Sequence, residues 1–486
     1  SQVEGSTLKI LGWSVFDFTD MFTSNFILPL GGIAACILVG QLMKRDVVFN
    51  ELTSDGQFNA GIVRFFYWLA RYVCPIIIFF MFINGISSIQ RPTTDTQTET
   101  ISDNINYPAA EFQPAGMAIV HTPGDELFEA IIHPKAGLFK DYLDVELAAA
   151  EHNNLVHVMD RNGCKVFNVR EVLLSAPREQ LIELADKALT YVPDDADYKR
   201  EVLGKMSARD LVDCILLRPT VNLSEDNKHA DYHTAPLSNL YFTRDQCVVT
   251  KRGIVMCRMQ ERQRQAEVPI MALCFRQLGV EPIYSIEGEN AYMHGGEYMS
   301  LNTMSVIGCS QISTMEAIYQ MMRHDVFGHD EVIVLHHDAD RSTQIYMDNF
   351  FNCIDRNLVV MADNRLNAKP GDADFLTCDI FQRNAVKENE TAGNYVLREK
   401  DVDFCQLLRS RGYTILPIPE AEADASATNF LTIAPRHILT TTGLSRETAE
   451  LLNKNGVKVE WISAENLKRG DGSARGMTQV IKRVWD

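Results

Sequence analysis

The chain is 486 residues long, 46% hydrophobic and 23% charged, a composition that excludes global disorder and collagen-like or low-complexity classes. At roughly 150 residues per domain it has room for two or three domains. Its 64 acidic residues outweigh 46 basic ones for a formal charge of −18. No long basic run interrupts them, so nucleic-acid phosphate is repelled and nucleic acid is set aside as a partner.

In chain order, the first signal is a run of 23 uncharged residues from Met21 to Met43. At about 1.5 Å per residue it is long enough to cross a hydrocarbon core of about 30 Å. A second uncharged run, Tyr72 to Gln90, follows the aromatic segment FFYWLA and Arg71. Pro75 within it is a kink that a bundle tolerates. These runs predict two transmembrane α-helices, at about residues 21–43 and 66–88, in a domain covering residues 1–90. The chain is therefore expected to be an integral membrane protein with membrane lipid as a partner. The first run is too long for a signal-peptide core, and a start at Ser1 rather than Met suggests a processed or partial product.

The two signals for sidedness conflict. Lys44, Arg45, Arg64 and Arg71 lie between or beside the runs, against Lys9 before them, which favours a cytoplasmic loop and an external C-terminal part. Nine cysteines from Cys164 to Cys405 are scattered, odd in number and without a CxxC. That pattern favours free thiols in a reducing compartment, so the side of the membrane stays open.

Residues 91–113 are polar and Thr-rich and read as a linker. Beyond them, MAIV before Pro123 and Gly124 reads as a strand, DVELAAAEHNNLVHVMDRNG as a helix and KVFNV as a strand. Helical patterning fills about 170–217, with Ser175 as a cap ahead of Pro177 and Arg178. From Leu240 onward short β-rich runs such as GIVMCRM, MSVIGC, EVIVLHHD, LVVMAD and HILTTT alternate with helices such as TMEAIYQMM and SRETAELLNKNG. No GxGxxG follows a strand and no GxxxxGK[ST] occurs, so neither a dinucleotide fold nor a P-loop is supported and no cofactor is expected.

Two family resemblances enter at the level of residues. The segments GWSVFDFTDMFTSNFILPLGGIAACILVGQLM and FFYWLARYVCPIIIFFMFINGI resemble the last two helices of bacterial sodium:neurotransmitter symporters, over roughly residues 7–87. In that family the substrate and sodium sites are built mainly by earlier helices, absent here. The resemblance thus implies no transport by this chain alone and names the remaining symporter helices as partners.

The second covers about residues 113–486. The runs AIVHTPGDELFEAI, SNLYFTRD, HGGEYMSLNTMSVIG, QIYMDNFFNCIDRN and GDGSARGMTQVIKR fall in the order found in arginine deiminase, of the guanidino-group-modifying superfamily. The resemblance implies a five-bladed ββαβ propeller, pentein-like, with an inserted helical bundle at about 170–217. It also implies that the domain forms homo-oligomers.

The chemistry implied by that family uses a cysteine thiolate to attack the guanidinium carbon and a histidine to move protons. Carboxylates grip the planar cation and arginines hold the substrate carboxylate. Carried over position by position, the first carboxylate is present as Asp245. The family's EGGD motif reads HGGE, placing His294 where the guanidinium-binding glutamate stands and keeping an acid at Glu297. The catalytic histidine aligns with Tyr346, while the carboxylate two residues on survives as Asp348. The nucleophile aligns with Gly476, and two clamp arginines align with Ile312 and Asp471. No covalent intermediate forms on a glycine, so no catalytic residue is expected among Gly476, Tyr346 and His294.

What survives suggests a pocket without turnover. Asp245, Asp348, Asn239, Phe242, Arg264 and Glu297 are its candidate ligand-binding residues, and a guanidino compound or amino acid is the expected ligand. The alternatives are an active arginine deiminase or related guanidino hydrolase, and a structural or oligomerising domain. Fused to symporter helices, the first of these readings makes the domain a membrane-tethered regulator of a transporter. His336, His337, Asp338 and Asp340 resemble a metal cluster, but neighbours on a strand face opposite ways, so no metal is expected. EAEAD, Glu420 to Asp424, reads as a solvated loop.

Overall fold

The structure is a computed structural model describing residues 9–10, 13–14, 22–45, 47–48, 60–79, 107, 110–225, 228–338, 343–384 and 395–484. It divides into two compact units, Ser1–Thr98 and Glu99–Asp486.

In the first unit, the run expected to form one long helix at 21–43 is wound in pieces. A ten-residue α-helix, Leu28–Ile37, is flanked by wider π-helical turns at Thr23–Ile27 and Leu38–Leu42. The second expected helix, at about 66–88, begins in the α-helix Ala60–Trp68 and continues through the π-helical turn Leu69–Val73. Its residues 80–88 lie outside the described residues. No helix among the described residues is long and apolar enough to cross a membrane. This contradicts the integral-membrane placement, and leaves the two transmembrane helices and the membrane tether without support. The physical reason is local: the i→i+5 bonding of a π turn interrupts the regular ladder. A length of uncharged sequence records none of this. Where the pieces pack, Gly40 allows close approach, since a Cβ there would stand 2.8 Å from the Arg71 Cα.

The second unit repeats one motif. In each of five sheets an antiparallel strand pair is followed by a strand parallel to its second member. The first blade pairs Gln479–Arg483 with Ala115–Val120, then Lys165–Asn168; the ends of the unit thereby close on each other. The second runs Cys247–Val249, Ile254–Met256, Tyr284–Ser285, and the third Tyr298–Leu301, Met304–Cys309, Glu331–His336. The fourth is Phe351–Asp355, Leu358–Ala362, Thr414–Ile418, and the fifth Leu431–Ala434, His437–Thr440, Lys458–Trp461. Helices Val145–Arg161, Glu267–Gln277, Met315–Arg323 and Arg446–Lys454 make the crossovers of four blades, as parallel neighbours require. The pattern is the five-bladed ββαβ propeller expected from sequence, with the third sheet widened by Thr377–Arg383 and Tyr395–Asp403.

Middle strands such as Leu358–Ala362 are buried at every position, because helices or neighbouring strands cover both faces. The helix Met315–Arg323 buries Ala317, Ile318, Met321 and Met322 at the spacing of one helical face, each large side chain contributing about 1.5–3 kcal/mol. The insert holds the helices Val169–Leu174, Arg178–Ala188, Ala196–Lys205 and Ala208–Leu217 and a small sheet of Thr190–Val192, Thr220–Leu223 and Ala230–His233. Ser175 ends the first of these rather than starting the second, its hydroxyl donating to the Val172 carbonyl at 2.7 Å. Glu420–Asp424 is a short helix, not a loop, and Asp424 at its end accepts hydrogen bonds from Thr343 and Gln344 at 2.9 and 3.0 Å. Of the residues assigned to the linker, Glu111, Phe112 and Gln113 are buried in this unit. All eleven cysteines are free.

Candidate active site

The repeat brings equivalent positions of all five blades together. Asp245, His294, Tyr346 with Asp348, Asn429 and Gly476 each lie just before the first strand of their blade. All of these except His294 line one cavity of about 130 Å³, joined by Asn239, Phe242, Glu261, Arg264 and Asp471. His294 is fully buried behind Tyr346, whose hydroxyl meets its Nδ1 at 3.2 Å.

Both surviving carboxylates are already engaged by arginines of the chain. Arg264 Nη1 donates to Asp245 Oδ2 at 2.9 Å, while its Nη2 donates to Glu267 Oε2 at 3.0 Å. Arg475 Nη1 donates to Asp348 Oδ2 at 2.6 Å, and its Nε to Glu111 Oε1 at 3.1 Å. Beneath the cavity, burial alone would raise the Glu111 carboxyl, but Arg475, Arg244 and Arg483 hold it down at about 2. Asp348 behaves oppositely. Burial pushes its carboxyl up to about 6 against the pull of Arg475, and its Oδ1 is buried with no hydrogen-bond partner. An orphaned carboxylate oxygen beside a cavity is a place for a ligand N–H.

The replaced positions are joined by hydrogen bonds. His294 Nε2 lies 3.2 Å from Glu261 Oε2, so Glu261, His294 and Tyr346 form a chain leading into the cavity. Burial would raise the Glu261 carboxyl, yet the hydrogen bond and charge of His294 bring it to about 2. Burial, then the charge of Asp245, raises the Tyr346 phenol well above its usual value. The phenol is therefore protonated and acts as a hydrogen-bond donor or acceptor, not as an anion.

Gly476 leaves room at the cavity wall. A Cβ there would stand 3.5 Å from Asn429 Oδ1 and 3.6 Å from Phe242 Cδ1, both ordinary contacts. The residues lining the cavity include no cysteine, serine, threonine or lysine.

Glu297 does not line this cavity. It is fully buried and receives His337 Nε2 at 3.0 Å and the Met347 N–H at 3.0 Å. His336 instead pairs with Asp379 at 3.1 Å, and Asp340 lies outside the described residues. Ile312 is buried, whereas Asp471 lines the cavity and is bound by Lys140 at 2.5 Å. Sequence reasoning missed Glu261, Glu267, Asn429 and Arg475. Arg475 had a signal in its place next to Gly476; Asn429 had none, since the fifth blade offers no charged residue there.

Residues 136–483 match the family model described as arginine deiminase. The arginine deiminase of Halobacterium salinarum is 23% identical over 442 residues, covering 70% of this chain and 87% of that protein. That of Staphylococcus haemolyticus is 26% identical over 400 residues, covering 75% and 95%. Among solved structures, DDAH from Pseudomonas aeruginosa complexed with citrulline is 13% identical at a TM-score of 0.44, covering 76% of this chain and 100% of that one. The five-bladed topology stands on the strand pairing itself. These matches lend no support to a symporter origin for residues 7–87 or to symporter helices as partners.

Proposed function

Because the chain belongs to the arginine deiminase family, we propose that its central cavity binds a small guanidino compound or amino acid without the family's covalent step. What carries this reading is Gly476, aligned by the resemblance with the nucleophile, in a cavity whose described lining residues include no thiol and no hydroxyl apart from the protonated phenol of Tyr346. A guanidinium carbon held there meets no thiolate of the kind the family uses to form the covalent intermediate. Asp348 supplies recognition instead: its unpartnered Oδ1 accepts from a ligand N–H, and above its pKa of about 6 it favours a cation. The relatives named arginine deiminase and the citrulline-bound DDAH support a guanidino or ureido ligand as the class to try first.

The bonds from Arg264 to Asp245 and from Arg475 to Asp348 favour a second reading, in which internal guanidinium groups complete the centre and its role is structural. Calorimetry with L-arginine and L-citrulline on the full chain, with citrulline production assayed on the same sample, separates the readings. Binding without turnover supports the proposal. Turnover shows instead an active deiminase working through altered groups, and the absence of both binding and turnover supports the structural centre.

A further inference from the structure

Beside the central cavity lies a larger one of about 380 Å³, where the end of the helical insert meets the turn Arg262–Arg264. Asn239 and Arg264 line both cavities. The donors of Arg264 are committed to Asp245, Glu267 and the Asn239 carbonyl, so this arginine brings no free charge to the second cavity. Two others do. Arg262 is exposed and Arg218 half-buried, and among the described residues neither has a carboxylate partner. In a chain with a formal charge of −18, two arginines of one cavity without a carboxylate partner stand out; Glu129, which also lines it, is bound by the Thr234 hydroxyl.

The backbone at Arg218 adds an independent observation. It follows the helix Ala208–Leu217 with φ 51° and ψ 62°, the left-handed conformation in which glycine is usual at a helix end. Its guanidinium makes one hydrogen bond, from Nη2 to the Lys187 carbonyl at 3.3 Å. Burial lowers its pKa against the opposing pull of Cys214. An arginine kept at a strained position, half out of water and without an acid, has the properties of an anion ligand's partner.

We propose that this second cavity binds a small oxyanion, its carboxylate or phosphate group gripped by Arg218 and Arg262. The planar forks suit either group, and both charges are otherwise unused. Neither arginine lines the central cavity, so the outcome is independent of whether a guanidino ligand binds there.

The test titrates the full chain with succinate and, separately, with inorganic phosphate, following heat and thermal melting, alongside Arg218→Gly and Arg262→Gln. The expected result is saturable binding of at least one anion with a Kd of about 1 mM or tighter. Succinate alone marks a carboxylate ligand and phosphate alone a phosphorylated one. Each variant is expected to weaken binding at least tenfold, while Arg218→Gly melts at or above the parent temperature because glycine relieves the left-handed backbone. No saturable binding of either anion, or unchanged affinity in the variants, overturns the proposal. So does a lower melting temperature for Arg218→Gly with anion binding intact, which makes Arg218 structural.

Discussion

The floor and the wall of the central cavity are built on opposite principles. On the floor, Arg475 is fully buried and ties three partners: Glu111, Asp348 and the Tyr298 carbonyl, the last at 2.8 Å. Removing any member strands a charge out of water. On the wall, Gly476 and Tyr346, with His294 behind Tyr346, stand where the resemblance implies other residues; Tyr346 bonds His294, and His294 lies 3.2 Å from Glu261. The lesson is that the groups holding the blades together are constrained by burial. The groups that would do chemistry are free to change wherever a new hydrogen bond replaces the old one.

The contrast is sharpest if the floor is broken. Arg475→Met leaves Glu111 and Asp348 without their shared cation and is expected to cost about 3–5 kcal/mol, read by chemical denaturation. A loss below about 1 kcal/mol would erase the distinction between floor and wall. On the wall, Tyr346→Phe removes the partner of His294 Nδ1 and is expected to cost about 1–2 kcal/mol, measured the same way.

Acid titration sets two floor carboxylates against each other. The Asp348 carboxyl is raised in the folded state from 3.8 to about 6. Its contribution is therefore fully present below 3.8 and declines as pH rises through 6. Glu111 is lowered from 4.5 to about 2, so its contribution is present above 4.5 and is lost as pH falls through 2. Asp348→Asn should flatten the part of the stability profile that falls between pH 3.8 and 6; an unchanged slope there would mean that Asp348 is not the group responsible. The same titration makes binding of a cationic ligand weaker below pH 6, with a proton released on binding.

The smallest effect is expected at Gly476→Cys. The added Cβ meets only ordinary contacts, so stability should change by less than about 1 kcal/mol. Citrulline production is expected to stay absent, because Tyr346 and His294 do not supply the missing proton chemistry. Turnover by this single variant would show that the wall retains more function than its residues indicate.

Much of the second unit was legible in its residues. Short apolar strands between turns, helices at one-face spacing and five motif runs in family order pointed to the blades and to Asp245, Asp348, Asn239 and Phe242. The uncharged run at 21–43 misled because hydropathy and length say nothing of how the backbone is wound. Glu297 misled for a different reason: its carboxylate is taken by His337, which follows the strand Glu331–His336, and by the Met347 N–H.

Local patterning by itself determined the strands and the helices, because each depends on side-chain type and spacing within one segment. Tertiary structure alone decided which charges are spent. The pairing of Arg475 with Glu111 spans 364 residues and that of Arg475 with Asp348 spans 127. Such partners are fixed only when the last strand closes against the first blade and water leaves the centre, and no neighbouring residue in the chain carries that information.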